Sequence, residues 1–213
     1  MIKHAENNSR DSQTSSEQDR QISIRSIVEQ DFQSISAIHR QGFPHDLFAQ
    51  LGPSFLTNVF YPRLFGSANA VGLLAEIEAQ PVAFVCFNSD NELFTSLVKQ
   101  QFGKIFLLSL CRIWNLRFVL NCLVSLIVMF LRRKPPEEMG TELTLLIVHP
   151  DYQGMRIGAE LVQQGFRKLE ENGEKSCWLK TMSKTTRNVR FYEKQGFEIY
   201  QQFCGRTYLQ RAI

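Results

Sequence analysis

The stretch "VHPDYQGMRIGAELV", residues 148–162, has the composition of a strand-to-helix junction that can hold an anion. Pro150 cannot donate to a strand ladder and therefore directs the chain out of the sheet. The small residues Gly154, Gly158 and Ala159 let a ligand approach the backbone, where the first N–H groups and the dipole of a helix favour a diphosphate. Small residues also suit close packing of a helix on a sheet, so this stretch alone supports both interpretations.

A second stretch, "RNVRFYEKQGFEIY", predicts a helix that carries Phe191 and Tyr192 and is closed by Gly196. Together the two stretches resemble the signatures of the GNAT superfamily of acetyl-CoA-dependent N-acetyltransferases. "VHPDYQGMRIG" is similar to the acyl-CoA signature V-x-P-x-x-[QR]-x-x-G-x-[GA], and "FYEKQGF" is similar to the terminal signature [FL]-Y-x-x-x-G-F. Their order and spacing both agree with the family, and the resemblance extends from about residue 21 to 210.

The resemblance implies that the strand ending at Val148 and the loop after it hold acetyl-CoA. The strand backbone would bind the acetyl carbonyl and the pantetheine where this strand and "SCWLKTM" splay apart, and the loop would hold the pyrophosphate. The cofactor-binding residues implied in this way are Leu146, Ile147, Val148, Gln153, Gly154, Met155, Arg156, Ile157, Gly158, Ala159 and Asn188.

Two positions depart from the family pattern. Arg156 stands where the family has its middle glycine, which removes one bare backbone position. Its guanidinium either compensates by reaching the pyrophosphate or the 3′-phosphate, or points to solvent. Thr185 stands where an asparagine is usual, seven residues before Tyr192, and Asn188 lies one helical turn before that tyrosine instead.

Attack of an amine on a thioester needs a base for the ammonium, a donor for the tetrahedral oxyanion and a proton for the leaving thiolate. The resemblance implies Glu142, six residues before Val148, as the base and Tyr192 as the acid that protonates coenzyme A. The competing interpretations are a strand-edge carboxylate in solvent and a packing tyrosine. His39 and His45 are substrate ligands or, more ordinarily for histidines near a helix end, structural side chains.

The elements that must position these residues alternate in an α/β (α+β) pattern. The runs "QISIRSIV", "AVGLLAEIEA", "PVAFVCFNSD" and "TELTLLIVHP" predict strands, with a turn at Gln80-Pro81 between the second and third, and residues 154–172 predict a helix. The resemblance implies a GNAT-like mixed, mostly antiparallel central sheet flanked by helices.

The chain divides by composition into a tail and one domain. Residues 1–20 are polar and predict a disordered tail, and residues 21–213 predict a single acetyltransferase domain. Residues 91–134 predict a long apolar helical insertion between the third and fourth strands. Its longest charge-free run, 118–131, is shorter than the roughly 20 residues that span a bilayer. For residues 105–131 three interpretations stay open: helices that cover the sheet, a peripheral contact with an anionic membrane, or a homodimer interface.

Composition excludes several functional classes. The net charge of +3 is too small to indicate nucleic-acid binding, and the sequence has no nucleic-acid-binding motif. The five cysteines have no metal-binding spacing, so we expect no metal and a reducing compartment. We therefore expect a cytoplasmic protein, at the inner membrane surface if residues 105–131 bind lipid.

The expected function is transfer of the acetyl group of acetyl-CoA to a primary amine by an acyltransferase. The helix "LGPSFLTNVFYPRL" and the long apolar segment resemble a bacterial GNAT subgroup associated with cell-surface amino-sugar modification, which favours an amino sugar or another small or lipid-linked amine as acceptor. The alternative is an acyl-CoA-binding, membrane-associated or regulatory module with little or no turnover, which Arg156 and Thr185 favour.

Overall fold

The structure, a computed structural model, describes residues 21–68, 70–90, 92–110, 140–203 and 205–213. Within these ranges the strands are β1 (Ile22–Ser26), β2 (Val71–Ile77), β3 (Gln80–Asn88), β4 (Thr141–Val148), β5 (Ser176–Met182), β6 (Glu198–Phe203) and β7 (Arg206–Ala212). They form one seven-stranded sheet in the order β1-β2-β3-β4-β5-β7-β6. Every neighbouring pair is antiparallel except β4 with β5. The predicted mixed, mostly antiparallel sheet is confirmed.

The helices are α1 (Phe32–Gly42), α2 (Leu47–Leu51), α3 (Pro53–Phe55), α4 (Tyr61–Phe65), α5 (Leu93–Gln100), α6 (Phe102–Leu110), α7 (Ile157–Glu171) and α8 (Thr186–Lys194). A π-helical turn, Leu56–Phe60, joins α3 to α4. Pro62 lacks the N–H that the carbonyl of Asn58 would accept in a regular α-helix, and the helix widens in the turn just before it.

The β2–β3 hairpin turns at Glu78 and Ala79, which both have positive φ, 52° and 61°. Two left-handed residues give a turn whose twist matches that of the flanking antiparallel strands. The turn predicted at Gln80-Pro81 is therefore wrong by two residues, because β3 already begins at Gln80.

Each face of the sheet carries its own hydrophobic core. One core lies under α7, whose buried residues recur at helical spacing: Ile157, Leu161, Val162, Phe166 and Leu169. The other core lies under α1 to α5 and includes Ile35, Phe55, Leu64, Phe84 and Leu93. We call these the α7 face and the α1 face. The central strand β3 contributes to both cores, so the sheet is covered on both sides along its middle.

The predicted insertion begins with α5 and α6, which follow β3 directly. Phe102, Phe106 and Leu107 of α6 are exposed. Residues 111–139, which include the rest of the predicted insertion, and the predicted tail 1–20 lie outside the described residues. Of the helices that the structure describes, none is long and apolar enough to cross a bilayer.

Candidate active site

Strands β4 and β5 pair along only a short part of their length and then separate. The parallel register consists of Thr141 with Cys177 and Glu142 with Trp178. Beyond these residues, which we call the apex, β4 continues to Val148 beside β3 and β5 continues to Met182 beside β7. One edge of each strand therefore faces a gap, as the resemblance implied. The edge of β4 from Leu146 to Val148, which β5 leaves unpaired, offers peptide groups to an extended ligand.

A β-bulge lies where the two strands separate. Leu143 pairs with Phe87 and Leu145 pairs with Cys86, so Thr144 is an extra residue on β4. A bulge bends its strand and increases the local twist. The bulge thus gives a physical reason for β4 to turn away from β5 directly after the apex.

The loop after β4 presents a series of backbone donors. A short 3-10 turn, Pro150–Tyr152, is held by His149, whose Nδ1 accepts from the Asp151 N–H at 3.3 Å. Helix α7 begins at Ile157, three residues later than the sequence predicts. Among the hydrogen bonds of the described residues, none uses the consecutive backbone N–H groups from Gly154 to Gly158. Such a row of donors at a helix N-terminus suits a phosphate group.

The space around the glycines of α7 distinguishes the two interpretations of this junction, anion binding and close packing of the helix on the sheet. A Cβ on Gly158 would lie 3.5 Å from Val148 Cγ2 and 3.7 Å from Phe191 Cζ, which are ordinary contacts. A Cβ on Gly165 would lie 2.1 Å from Cε2 of Phe87. Close packing of α7 on the sheet therefore requires glycine at position 165 and does not require it at position 158. The geometry favours the anion-binding interpretation of the loop.

Arg156 adopts a left-handed conformation, with φ 61° and ψ 2°, immediately before α7. Left-handed backbone costs a residue with a Cβ roughly 1–2 kcal/mol, which explains why glycine is usual at this position. The Arg156 side chain is exposed and makes no ion pair with any other described residue.

Glu142 is buried at the apex, with a relative exposure of 4%, and its Oε1 accepts a hydrogen bond from Nζ of Lys180 at 2.6 Å. The alternative of a strand-edge carboxylate in solvent is therefore wrong. Lys180 also lies over two aromatic rings, with its Nζ 5.5 Å from the ring centroids of Phe94 and of Trp178. Trp178 stacks in turn on Tyr208 at 6.5 Å.

Lys180 was not predicted as a site residue. The available signal was its position two residues after Trp178 in the strand "SCWLKTM", which places both side chains on one face of the sheet. The indole Nε1 of Trp178 is buried and has no hydrogen-bond partner among the described residues.

Tyr192 of α8 packs against the α7-face core, with T-shaped contacts to Phe191 at 5.1 Å and to Phe197 at 5.8 Å. Burial raises the pKa of its phenol, and the charge of a Cys177 thiolate at the apex would raise it further. The hydroxyl is therefore protonated at neutral pH, as a general acid must be. Because Cys177 and Trp178 point to opposite faces, Tyr192 and Glu142 approach the apex from opposite sides.

Five of the remaining predicted residues are exposed to solvent. Gln153, Gly154, Met155 and Arg156 are exposed in the loop. Asn188 is exposed on α8, and Thr185 precedes α8 without capping it through its side chain.

His39 lies in the α1-face core and is not part of the gap. His39 is fully buried, and its Nδ1 lies 3.1 Å from the Tyr61 hydroxyl, which donates to the Ile35 carbonyl at 3.3 Å. This supports the structural interpretation of His39, while His45 is exposed. Within the described ranges no group of three or more His, Cys, Asp or Glu side chains is arranged to bind a metal ion.

Comparison with known proteins gives one family. The family model "Acetyltransferase (GNAT) family" matches residues 32–197. No curated protein matches the chain.

Solved structures share the fold at low sequence identity. PaiA N-acetyltransferase from Thermoplasma acidophilum, in complex with coenzyme A, is similar at a TM-score of 0.57 and 14% identity, over 91% of this chain and 99% of that one. YncA, a putative acetyltransferase from Salmonella typhimurium with its cofactor acetyl-CoA, is similar at a TM-score of 0.57 and 14% identity, over 90% of this chain and 93% of that one. The ribosomal-protein-S18-alanine N-acetyltransferase from Escherichia coli is similar at a TM-score of 0.54 and 14% identity, over 91% of this chain and 94% of that one.

Proposed function

The chain belongs to the GNAT family of acetyltransferases, and from that premise we propose that it transfers the acetyl group of acetyl-CoA to a primary amine bound on the α1 face of the sheet. It is an acyltransferase with acetyl-CoA as its co-substrate. The observation that carries the proposal is the gap between β4 and β5, which has backbone donors at one end and the buried Glu142 carboxylate at its apex, with the partly buried Tyr192 phenol on the other face.

The chain's own groups suit each part of the co-substrate. The N–H groups from Gly154 to Gly158 receive the pyrophosphate, and Arg156 adds a positive charge beside them. The unpaired edge of β4 from Leu146 to Val148 binds the amide groups of pantetheine as a further strand would. This arrangement brings the thioester to the apex.

At the apex, Glu142 acts as the general base and Tyr192 as the general acid. Glu142 removes a proton from the acceptor ammonium, and the neutral amine then attacks the thioester carbon. Tyr192 gives its proton to the departing thiolate, and burial, which raises the pKa of the phenol, keeps it protonated until that step. The Lys180 ammonium compensates the charge of the buried carboxylate between turnovers.

The acceptor is an amino sugar or another small or lipid-linked amine. The α1 face at the apex offers it the Glu142 carboxylate, the rings of Phe94 and Trp178, and the buried indole N–H as a donor to an acceptor oxygen. Aromatic rings beside a carboxylate favour a cationic group with an apolar or ring-shaped body.

Thermal unfolding with acetyl-CoA, coenzyme A and longer acyl-CoAs tests cofactor binding, because a ligand of the native state raises the unfolding temperature. Thiol release with a panel of amino sugars, alkylamines and lipid-linked amines then tests turnover. We expect stabilisation by acetyl-CoA and thiol release with at least one amine. An unchanged unfolding temperature with all these ligands would contradict the proposal.

Replacing Tyr192 by Phe tests the acid. The hydroxyl makes no hydrogen bond among the described residues, so we expect the Tyr192→Phe variant to keep its stability and its affinity for acetyl-CoA. Turnover should fall by about 100-fold or more, the usual contribution of a positioned general acid. Steady-state kinetics measure both quantities, and the matched variant Tyr200→Phe, at an exposed tyrosine of β6, should keep the wild-type rate.

A module that binds acyl-CoA with little or no turnover is the second candidate, and the substitutions at Arg156 and Thr185 favour it. Stabilisation by acetyl-CoA without thiol release with any amine would support it. We further propose a cytoplasmic location, with residues 105–131 at the inner membrane surface. Failure of the full-length protein to float with anionic liposomes would refute the membrane contact.

A further inference from the structure

We propose that Lys180 is itself an acetyl acceptor, so that the enzyme acetylates its own Nζ at the apex. The inference rests on the proposed function, because it uses the same co-substrate and the same carboxylate. It adds a modification site on the chain and indicates that an unbranched alkylammonium fits the acceptor position.

The position of Lys180 in the fold carries the argument. Lys180 is the first residue on the α1 face of β5 after the last pair with β4, Glu142 with Trp178. Its side chain reaches back across the gap and places Nζ 2.6 Å from Oε1 of Glu142. An amine acceptor must approach that same carboxylate to lose its proton. The lysine therefore already occupies the place from which attack on the thioester begins.

The surroundings of Nζ are those that a bound alkylammonium needs. The ring centroids of Phe94 and Trp178 each lie 5.5 Å from Nζ, and the Glu142 carboxylate forms an ion pair with the ammonium. The Lys180 side chain is 21% exposed, so it meets reagents from solvent less readily than a surface lysine does. Preferential acetylation of Lys180 would therefore require delivery through the gap.

The chemistry balances without any further reactant. Glu142 takes a proton from the Lys180 ammonium, and the neutral Nζ forms a bond to the thioester carbonyl carbon. The carbon–sulfur bond breaks, and the thiolate takes the proton of the Tyr192 hydroxyl. The products are Nε-acetyllysine at position 180 and free coenzyme A. The nitrogen of the adduct loses a second proton to solvent as the carbon–sulfur bond breaks, and the proton on Glu142 also leaves to solvent. Tyr192 recovers one proton from solvent, so that one proton is released for each acetyl group transferred.

Mass spectrometry of the full-length protein incubated with deuterium-labelled acetyl-CoA tests the proposal. We expect the label on Lys180 at least tenfold faster than on Lys168. Lys168 is the matched control, because it also pairs with a carboxylate, Glu171 at 3.2 Å, and its side chain is 51% exposed on α7. Replacing Glu142 by Gln should slow labelling of Lys180 and leave the rate at Lys168 unchanged.

Equal labelling of both lysines, while acetyl-CoA still raises the unfolding temperature, would overturn self-acetylation and leave the proposed function intact. No stabilisation by acetyl-CoA, and no thiol release, would overturn both. A second measurement covers variants that fold poorly. The Lys180→Ala variant lacks the internal amine, so added n-butylamine, which reproduces the lysine side chain, should be acetylated faster by this variant than by the wild type. No gain over the wild type would also overturn the proposal.

Discussion

At the scale of single residues, Arg156 combines an unfavourable backbone conformation with a charge at the mouth of the gap. A glycine would adopt φ 61° without strain, but it would also gain freedom in the unfolded chain and lose the guanidinium. Replacing Arg156 by glycine therefore tests whether the guanidinium charge contributes to the binding of acetyl-CoA.

We expect Arg156→Gly to change the free energy of unfolding by no more than about 1 kcal/mol, because relief of strain and loss of chain entropy oppose each other. Affinity for acetyl-CoA should fall a few-fold at low salt, since an exposed ion pair contributes about 1 kcal/mol or less. Urea unfolding and calorimetric titration measure the two effects. Equal affinity of Arg156→Gly and wild type at low salt would show that the side chain points to solvent.

At the scale of elements, α7 presents two glycines with different requirements. Gly165 faces Phe87 of β3, and a Cβ there would lie 2.1 Å from the ring, whereas a Cβ on Gly158 meets only ordinary contacts. Gly165→Ala should therefore destabilise the protein by about 1–3 kcal/mol through overpacking. Gly158→Ala should be neutral or slightly stabilising because alanine is the better helix former. Denaturant unfolding of the two variants measures this. An equal loss of unfolding free energy in both variants would contradict the packing of Gly165 against Phe87.

The first strand is attached to the sheet by an ion cluster as well as by pairing. Arg25 donates to both carboxylate oxygens of Asp31, at 2.7 and 2.8 Å, and to Glu76 of β2 at 2.7 Å. The hydrogen bonds from Arg25 to Asp31, and one from the Val28 N–H, hold the pKa of Asp31 below its ordinary value. The Asp31 carboxylate, by accepting from the Val28 N–H, thus closes a 3-10 turn, Glu29–Asp31, that precedes α1, and its side chain does not cap α1.

Because the folded-state pKa of Asp31 lies below its unfolded value of about 3.9, its stabilisation is complete above that value and is lost as the pH falls through the lower folded-state pKa. Asp31→Asn should cost about 1–2 kcal/mol at pH 7, and the difference from wild type should shrink below about pH 4. Urea unfolding between pH 7 and pH 3 measures this. A difference that stays constant over the range would show that the charge of Asp31 contributes nothing.

At the scale of the whole molecule, the periodic segments allowed the fold class and the order of strands and helices to be predicted. The two signature stretches allowed the loop from Gly154 to Gly158 to be predicted as a candidate anion site, because its backbone N–H donors are consecutive in the sequence. The Glu142–Lys180 pair could not be predicted. It joins residues of two strands that meet only when the parallel pair β4–β5 forms, and nothing local to either strand encodes that meeting. The hairpin turn was misplaced because Glu78 and Ala79 are unusual residues for a left-handed conformation.

The short joint between β4 and β5 has a consequence for how the protein opens. Among the described residues, two β4–β5 residue pairs join the half-sheet β1–β4 to the half-sheet β5–β7–β6. Side-chain contacts assist them, such as Arg211 of β7 over the Phe166 ring of α7 at 4.1 Å. We expect native-state amide exchange to reveal two cooperative units, with β5 and β7 exchanging through a sub-global opening of lower free energy than β2 and β3. Acetyl-CoA, lying between the halves, should slow exchange in β5 and β7 most. Uniform exchange across the sheet would show instead that the halves open as one unit.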